Sequence, residues 1–192
     1  MESITKKEIA AYQTEEFNGY IYVIDTGDEV DKAVNYLSRF NCLGFDTETR
    51  PTFKKGNLNT IALIQLATDK RCYLFRLNRI GISPTLVQLL SDANIRKIGL
   101  SLKDDFNSMS RWMKFTPKGF VDLQNLVSKY NIADISLQKI YAILFQKRIS
   151  KSQQLSNWEA DVLSDAQKKY AALDAWACLK IFEKLCHTNP FI

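Results

Sequence analysis

The sequence predicts an α/β fold, a mixed β-sheet flanked by helices, and three observations carry that prediction. Six strand-like apolar runs are spread along the chain. Three of them crowd between Cys42 and Arg76 with no room for intervening helices, so they pair as an antiparallel meander. The later runs alternate with amphipathic helical patterns, which favours parallel additions to the same sheet. At 192 residues the chain can bury one sizeable core but not comfortably two.

In order along the chain, residues 1–19 read as a polar lead-in with a short helix, followed by a single domain over 20–192. "YIYVID", from Tyr20 to Asp25, is that domain's first strand, and Val30, Val34 and Leu37 then mark one face of a helix. "CLGFDTE", "TIALIQLAT" and "RCYLFR" make the meander, each rich in the branched, aromatic and apolar residues that fit a buried pleat. Leu86, Leu89 and Leu90 give the apolar face of a further helix; "RKIGLS" and the shorter "GFVD" are the last strands. "SDAQ", Ser164 to Gln167, has the form of a capping box. It opens a long final helix whose inward stripe runs through Tyr170, Leu173, Ala177 and Ile181.

Composition narrows the chemistry. Hydrophobic residues at 46% and charged residues at 24% match an ordinary soluble protein. No segment approaches the roughly 20 apolar residues of a membrane span, and "MESITKKEIAAYQ" has no apolar block to act as a signal peptide, so the expectation is a cytoplasmic protein without membrane contact. Cys42, Cys72, Cys178 and Cys186 lie far apart, form no CxxC pair and read as reduced core residues. His187 is the one histidine, which argues against zinc hydrolases and histidine-dependent triads. The net charge of +5 is compatible with a polyanionic partner without requiring one.

The informative residues are carboxylates in places that should be buried. In "GFDTETRP" a strand projects Asp46 and Glu48 from one face, while Phe45 and Thr47 point the other way. Two acids so close repel and raise each other's pKa unless a cation neutralises them. In "GLSLKDDFNSMSRWM", helical phase puts Asp105 on the face of Leu102, Met109 and Trp112; Asp104 falls on the solvent side, where it complements the helix N-terminus. In "KKYAALDAWACLKIF", Tyr170 and Asp174 are four apart on the inward stripe, and Ala171, Ala172 and Ala175 keep the helix slim enough to approach the sheet. Each acid alone also fits a blander role, as a surface acid, a boundary residue or a Tyr–Asp hydrogen bond. Three separate elements turning acids inward make an oxygen-only set that suits a hard cation such as Mg²⁺ or Mn²⁺.

"FDTETRP", "IGLSLKDDF" and "KKYAALDAWACL" resemble, in order and spacing, the three motifs of the DEDD 3′–5′ exonucleases. The resemblance runs from about Tyr20 to His187 and includes "IALIQLAT" and "LSNWEADVLSDAQKKYAALDA"; it is strongest to the exonuclease domain of the Werner syndrome helicase and next to ribonuclease D. The histidine variant of that family would place His where Lys169 stands, whereas the tyrosine (DEDDy) variant places Tyr where Tyr170 stands, so the chain resembles the latter. The resemblance implies a ribonuclease H-like, DnaQ-like sheet and the catalytic set Asp46, Glu48, Asp105, Tyr170 and Asp174. It implies two divalent cations, one shared by Asp46, Glu48 and Asp174, the other resting chiefly on Asp46 with Asp105 acting largely through water. Release of nucleoside 5′-monophosphates from a nucleic acid with a free 3′ end follows, with DNA favoured, acting alone or with a separate helicase or repair partner; the alternatives are a ribonuclease D-like enzyme that trims RNA 3′ ends and a nucleic-acid-binding module without catalysis, against which the intact set of four acids and Tyr170 speaks.

Outside those four acids, 17 of the 21 acidic residues remain against 26 basic ones, enough to grip a phosphate chain. Candidate contacts are Thr47 between the two strand acids, Lys54 and Lys55 just after them, and Arg148 and Lys151 with Lys147 in "FQKRISKSQ". The lysine-rich loops fit phosphate contact and a solvated surface equally well. Trp158 reads as a core anchor before a base-stacking residue.

Overall fold

The computed structural model describes residues 1–49, 61–110 and 116–188. The chain begins with α1 (Lys6–Ala10), β1 (Gln13–Thr14), β2 (Tyr20–Ile24), α2 (Gly27–Leu37) and the long β3 (Cys42–Thr49). It continues through β4 (Ile61–Ala67), β5 (Arg71–Arg76), α3 (Leu77–Ile80), α4 (Pro84–Leu90), β6 (Arg96–Gly99) and α5 (Leu102–Met109). Then come β7 (Phe120–Asp122), α6 (Leu123–Val127), α7 (Leu137–Phe145), β8 (Lys147–Arg148) and α8 (Asp165–Thr188).

Among the described residues, six strands form the central sheet in the order β2-β5-β4-β3-β6-β7. The pairs β3–β4 and β4–β5 are antiparallel, and β6 and β7 add in parallel, as the spacing of the apolar runs predicts; β2 also joins in parallel, beside β5. Helices cover both faces: α6, α7 and α8 on one, α2, α4 and α5 on the other. Every residue of β4 is therefore buried, which is why "IALIQLA" reads as a continuous run rather than an alternation. The capping box of α8 forms, with the Ser164 amide donating to Gln167 Oε1 at 2.9 Å and the Gln167 amide to Ser164 Oγ at 3.2 Å.

Two features set up the acidic residues. Leu43 and Phe45 enter the core beneath α2, α4 and α5, so Gly44, Asp46 and Glu48 face α8. At Gly44 a Cβ would overlap the carbonyl of Ala175, and Ala171, Ala172 and Ala175 are fully buried at this crossing. The helix backbone lies directly on the strand, one residue after Asp174. On its other edge β3 pairs with β6 only through Cys42, Leu43 and Gly44, which leaves the acid-bearing half open on that side.

The N-terminal segment is docked rather than trailing. Ile4 and Phe17 are buried, and β1 pairs in parallel with β8. The Ile4 amide donates to Asp134 at 2.9 Å, and Glu15 accepts from the Tyr141 hydroxyl at 2.8 Å and pairs with Lys147 at 2.9 Å. The four cysteines carry no disulfide. Among the described residues no helix is long and apolar enough to cross a membrane.

Candidate active site

Asp46 and Glu48 from β3 and Asp174 from α8 converge, each offering a carboxylate oxygen within 4.8 Å of the others. They line one cleft of about 440 Å³, together with Thr47, Tyr170 and Lys151. Glu48 and Asp174 are 9% and 7% exposed, so these charges lie mostly out of water. Burial, joined by the charges of Asp174 and Asp105, holds Asp46 well above the usual carboxylate range. Glu48 is pushed up to about 10 by burial and then by Asp46, Asp174 and Asp105. Asp174 rises to about 7 through burial, against the lowering effects of the Tyr170 hydrogen bond and of Lys151.

Asp105 joins from the other side of the strand. The turn from β6 into α5 passes through Ser101 in the left-handed region, at φ 62°. That turn is held by Asp122 at the end of β7, which accepts from the amides of Ser101 at 3.0 Å, Leu102 at 2.9 Å and Gln124 at 2.9 Å. One carboxylate thereby serves the first turns of both α5 and α6, fixing where α5 begins and where Asp105 stands. Asp105 in turn accepts from the Thr47 hydroxyl, and its pKa is pushed up to about 6 by burial despite that bond. Asp104 is exposed. Thr47, expected at the nucleic acid, thus ties α5 to β3, while its place in the cleft wall is kept.

Tyr170 is hydrogen-bonded to Asp174, one helical turn on. Burial and the charges of Asp174 and Glu48 raise its phenol far above the usual value, so it keeps its proton. Trp158 is fully buried and lies behind Tyr170 at 6.0 Å between ring centroids, an anchor with no face free for a base. Of the basic candidates, Lys151 lines the cleft, Lys147 is engaged by Glu15, and Arg148 is exposed beside the cleft in an adjoining concavity. Lys54, Lys55 and Trp112 lie outside the described residues.

Two residues that bear on the site were not singled out from the sequence. Asp122 left a legible trace, an acid directly before the apolar "LQNLV", where an N-cap belongs. Gln65 is the single polar side chain of β4 and stands opposite Asp46 in the ladder, fully buried, with neither end of its amide partnered among the described residues. Asp174 Oδ1 is likewise buried without a hydrogen bond.

The raised carboxylates give a pH prediction for the metal-free protein. Their unfolded values are about 4, so between there and about 7 for Asp174, or about 10 for Glu48, the native state binds more protons than the unfolded one. Stability therefore falls as pH rises through that window. A chelator-treated sample should melt at lower temperature at pH 8 than at pH 5.5, and saturating Mn²⁺ should remove most of the difference; a melting point that rises over this range without metal would contradict the charge crowding.

A donor set of crowded carboxylates, with one buried oxygen unpartnered, fits a hard divalent cation. Comparison with known proteins agrees with that chemistry. A family model described as a 3′–5′ exonuclease matches residues 21–188. The bifunctional 3′–5′ exonuclease/ATP-dependent helicase WRN of Mus musculus is 33% identical over 155 residues, covering 78% of this chain and 11% of that protein. The DNA polymerase I of Aquifex aeolicus is 31% identical over 163 residues, covering 83% of this chain and 26% of that protein. The chain thus spans a tenth to a quarter of the length of these relatives. Among solved structures, the Trypanosoma brucei ribonuclease D complex with RNA U12 superposes with a TM-score of 0.79 at 22% identity, over 88% of this chain and 63% of that one. The fold is the ribonuclease H-like mixed sheet of these exonuclease domains, and the chain belongs to the 3′–5′ exonuclease family of DEDD type.

Proposed function

We propose that this domain removes nucleoside 5′-monophosphates one at a time from the 3′ end of a nucleic acid, with two divalent cations, Mg²⁺ or Mn²⁺, held by Asp46, Glu48, Asp174 and, through Asp105, the α5 side of the cleft. The observation that carries this reading is the convergence of Asp46, Glu48 and Asp174. Three buried carboxylates within one ion's reach are unfavourable alone and favourable around a cation. The unpartnered Asp174 Oδ1, and the Gln65 amide opposite Asp46, are the kind of buried polar groups that a hydrated ion would satisfy.

Cations bound there would supply charge stabilisation to both the attacking and the leaving oxygen of an in-line phosphoryl displacement. The rest is the work of this chain's own groups. Tyr170, protonated at neutral pH and anchored on Asp174, orients the attacking water; it is too weak a base to take its proton. Lys151 brings a positive charge to the cleft wall near Asp174, where it balances the incoming phosphate. Thr47 holds Asp105 against β3 so that the fourth carboxylate keeps its distance from the cluster. Tyr170→Phe should lower kcat by about 10²-fold while Mn²⁺ affinity changes little; equal losses in both would remove the water-orienting role.

DNA is the favoured substrate, supported by the 31% identical DNA polymerase relative and by the helicase-linked WRN relative, which also suggests a separate helicase or repair partner. RNA is the second reading, supported by the ribonuclease D fold match whose structure contains RNA. The deciding assay presents 3′-end-matched DNA and RNA oligonucleotides, single-stranded and recessed, with Mg²⁺, Mn²⁺ or chelator. Stepwise monophosphate release from DNA, lost with chelator, is expected. Release from RNA alone would transfer the assignment to the second reading, and metal-independent release or none would overturn it.

A further inference from the structure

The acidic cleft has a neighbour. A second concavity, of about 480 Å³, is lined by Lys6 of α1, Thr14 of β1, Gln138 of α7, and Arg148, Ser150 and Lys151 around β8, with only aliphatic side chains between them. Lys151 belongs to both concavities. They also adjoin around the first turn of α7, where Ser136 and Leu137 line the acidic cleft and Gln138 lines the basic one. Among the described residues the second hollow holds three cationic side chains and no carboxylate. Glu15, directly after β1, is engaged by Lys147 and Tyr141, and Glu8 of α1 by Thr5, while Lys6, Arg148 and Lys151 enter no ion pair among the described residues. The docked N-terminal segment builds half of this wall, since Lys6 and Thr14 come from α1 and β1.

We propose that this groove is a backbone-phosphate subsite for the single strand leading into the acidic cleft, occupied by nucleotides on the 5′ side of the one being removed. The proposal rests on the exonuclease reading for the identity of the cleft but adds a site to it. Cations without competing acids select a polyanion, and a groove that shares Lys151 with the cleft selects the polyanion whose end lies in that cleft. Among the described residues no aromatic side chain lines it, so they offer bases nothing to stack on and recognition is of the sugar-phosphate chain, independent of base sequence. The N-terminal segment is on this account part of the substrate path.

The test compares the full chain with the double variant Lys6→Ala/Arg148→Ala, both sites being exposed. Binding of fluorescent single strands, a dinucleotide and an unstructured oligomer of about ten nucleotides, is followed by anisotropy in chelator, where cleavage stops. The wild type should bind the longer strand at least about tenfold more tightly, equally for different base compositions. The double variant should lose most of that advantage, and its slope of log affinity against log salt should shrink by about 1.4, roughly 0.7 for each lost phosphate contact. Equal affinity of the wild type for both lengths, or an unchanged advantage and slope in the variant, would overturn the subsite. Because the readout is binding, it is separate from turnover: a wild type that binds by length yet releases no nucleotide with Mn²⁺ sinks the exonuclease reading and leaves the groove standing.

Discussion

Asp174→Asn is expected to lower nucleotide release by at least about 10³-fold, more than the loss of a single transition-state hydrogen bond costs. The amide keeps the shape of the side chain and its bond with Tyr170 but removes one of three charges that share the cleft. The same change should leave the metal-free protein as stable as the wild type or more so, because it relieves repulsion among Asp46, Glu48 and Asp174. A gain of about 1 kcal/mol would raise the melting point by roughly 2–4 °C. Added Mn²⁺, which should stabilise the wild type through linkage, should do so far less in the variant. Near-normal release with 3′-labelled substrate, or a variant that melts well below the wild type in chelator, would show that Asp174 is a structural acid.

Gly44→Ala is expected to be the most damaging change of a single methyl group. The new Cβ meets backbone, the Ala175 carbonyl, with no flexible side chain to yield, so α8 must lift from β3. Overpacking of this kind costs about 1–3 kcal/mol, a fall in melting point of roughly 2–12 °C. Asp174 rides on the helix one residue before that contact, so the gap between it and Asp46 opens as the helix moves. A displacement of about 1 Å in a catalytic constellation costs on the order of 10²-fold in rate. Loss of Mn²⁺ affinity together with kcat is the expected signature, and a folded Gly44→Ala protein with wild-type activity would mean that the crossing has room the structure does not display.

Much of this is legible in the sequence itself. The alternation in "CLGFDTE" forces Asp46 and Glu48 onto one face; helical phase separates Asp105 from Asp104; and the meander follows from three runs with no room between them. Local periodicity determines these because each concerns a single element. What it could not give is the meeting of elements. Thr47 points away from the strand acids, so nothing local says that its hydroxyl finds Asp105; the turn at Ser101, held by Asp122 from another strand, brings them together. The β1–β8 pairing was illegible because strands of two residues have no period, and it persists through tertiary contacts such as Glu15 with Lys147 and Tyr141. The basic groove that this pairing walls was hidden for the same reason, though Arg148 and Lys151 were visible as candidates.

The central claim is that Asp46, Glu48 and Asp174 exist as a cluster in order to hold divalent cations. Anomalous diffraction from a crystal soaked in Mn²⁺ tests it most directly. The prediction is strong anomalous density among those three carboxylates, with a second peak displaced toward the Asp105 side of Asp46. Carboxylates that remain close but enclose no anomalous density, with the Lys151 ammonium bridging them instead, would contradict it.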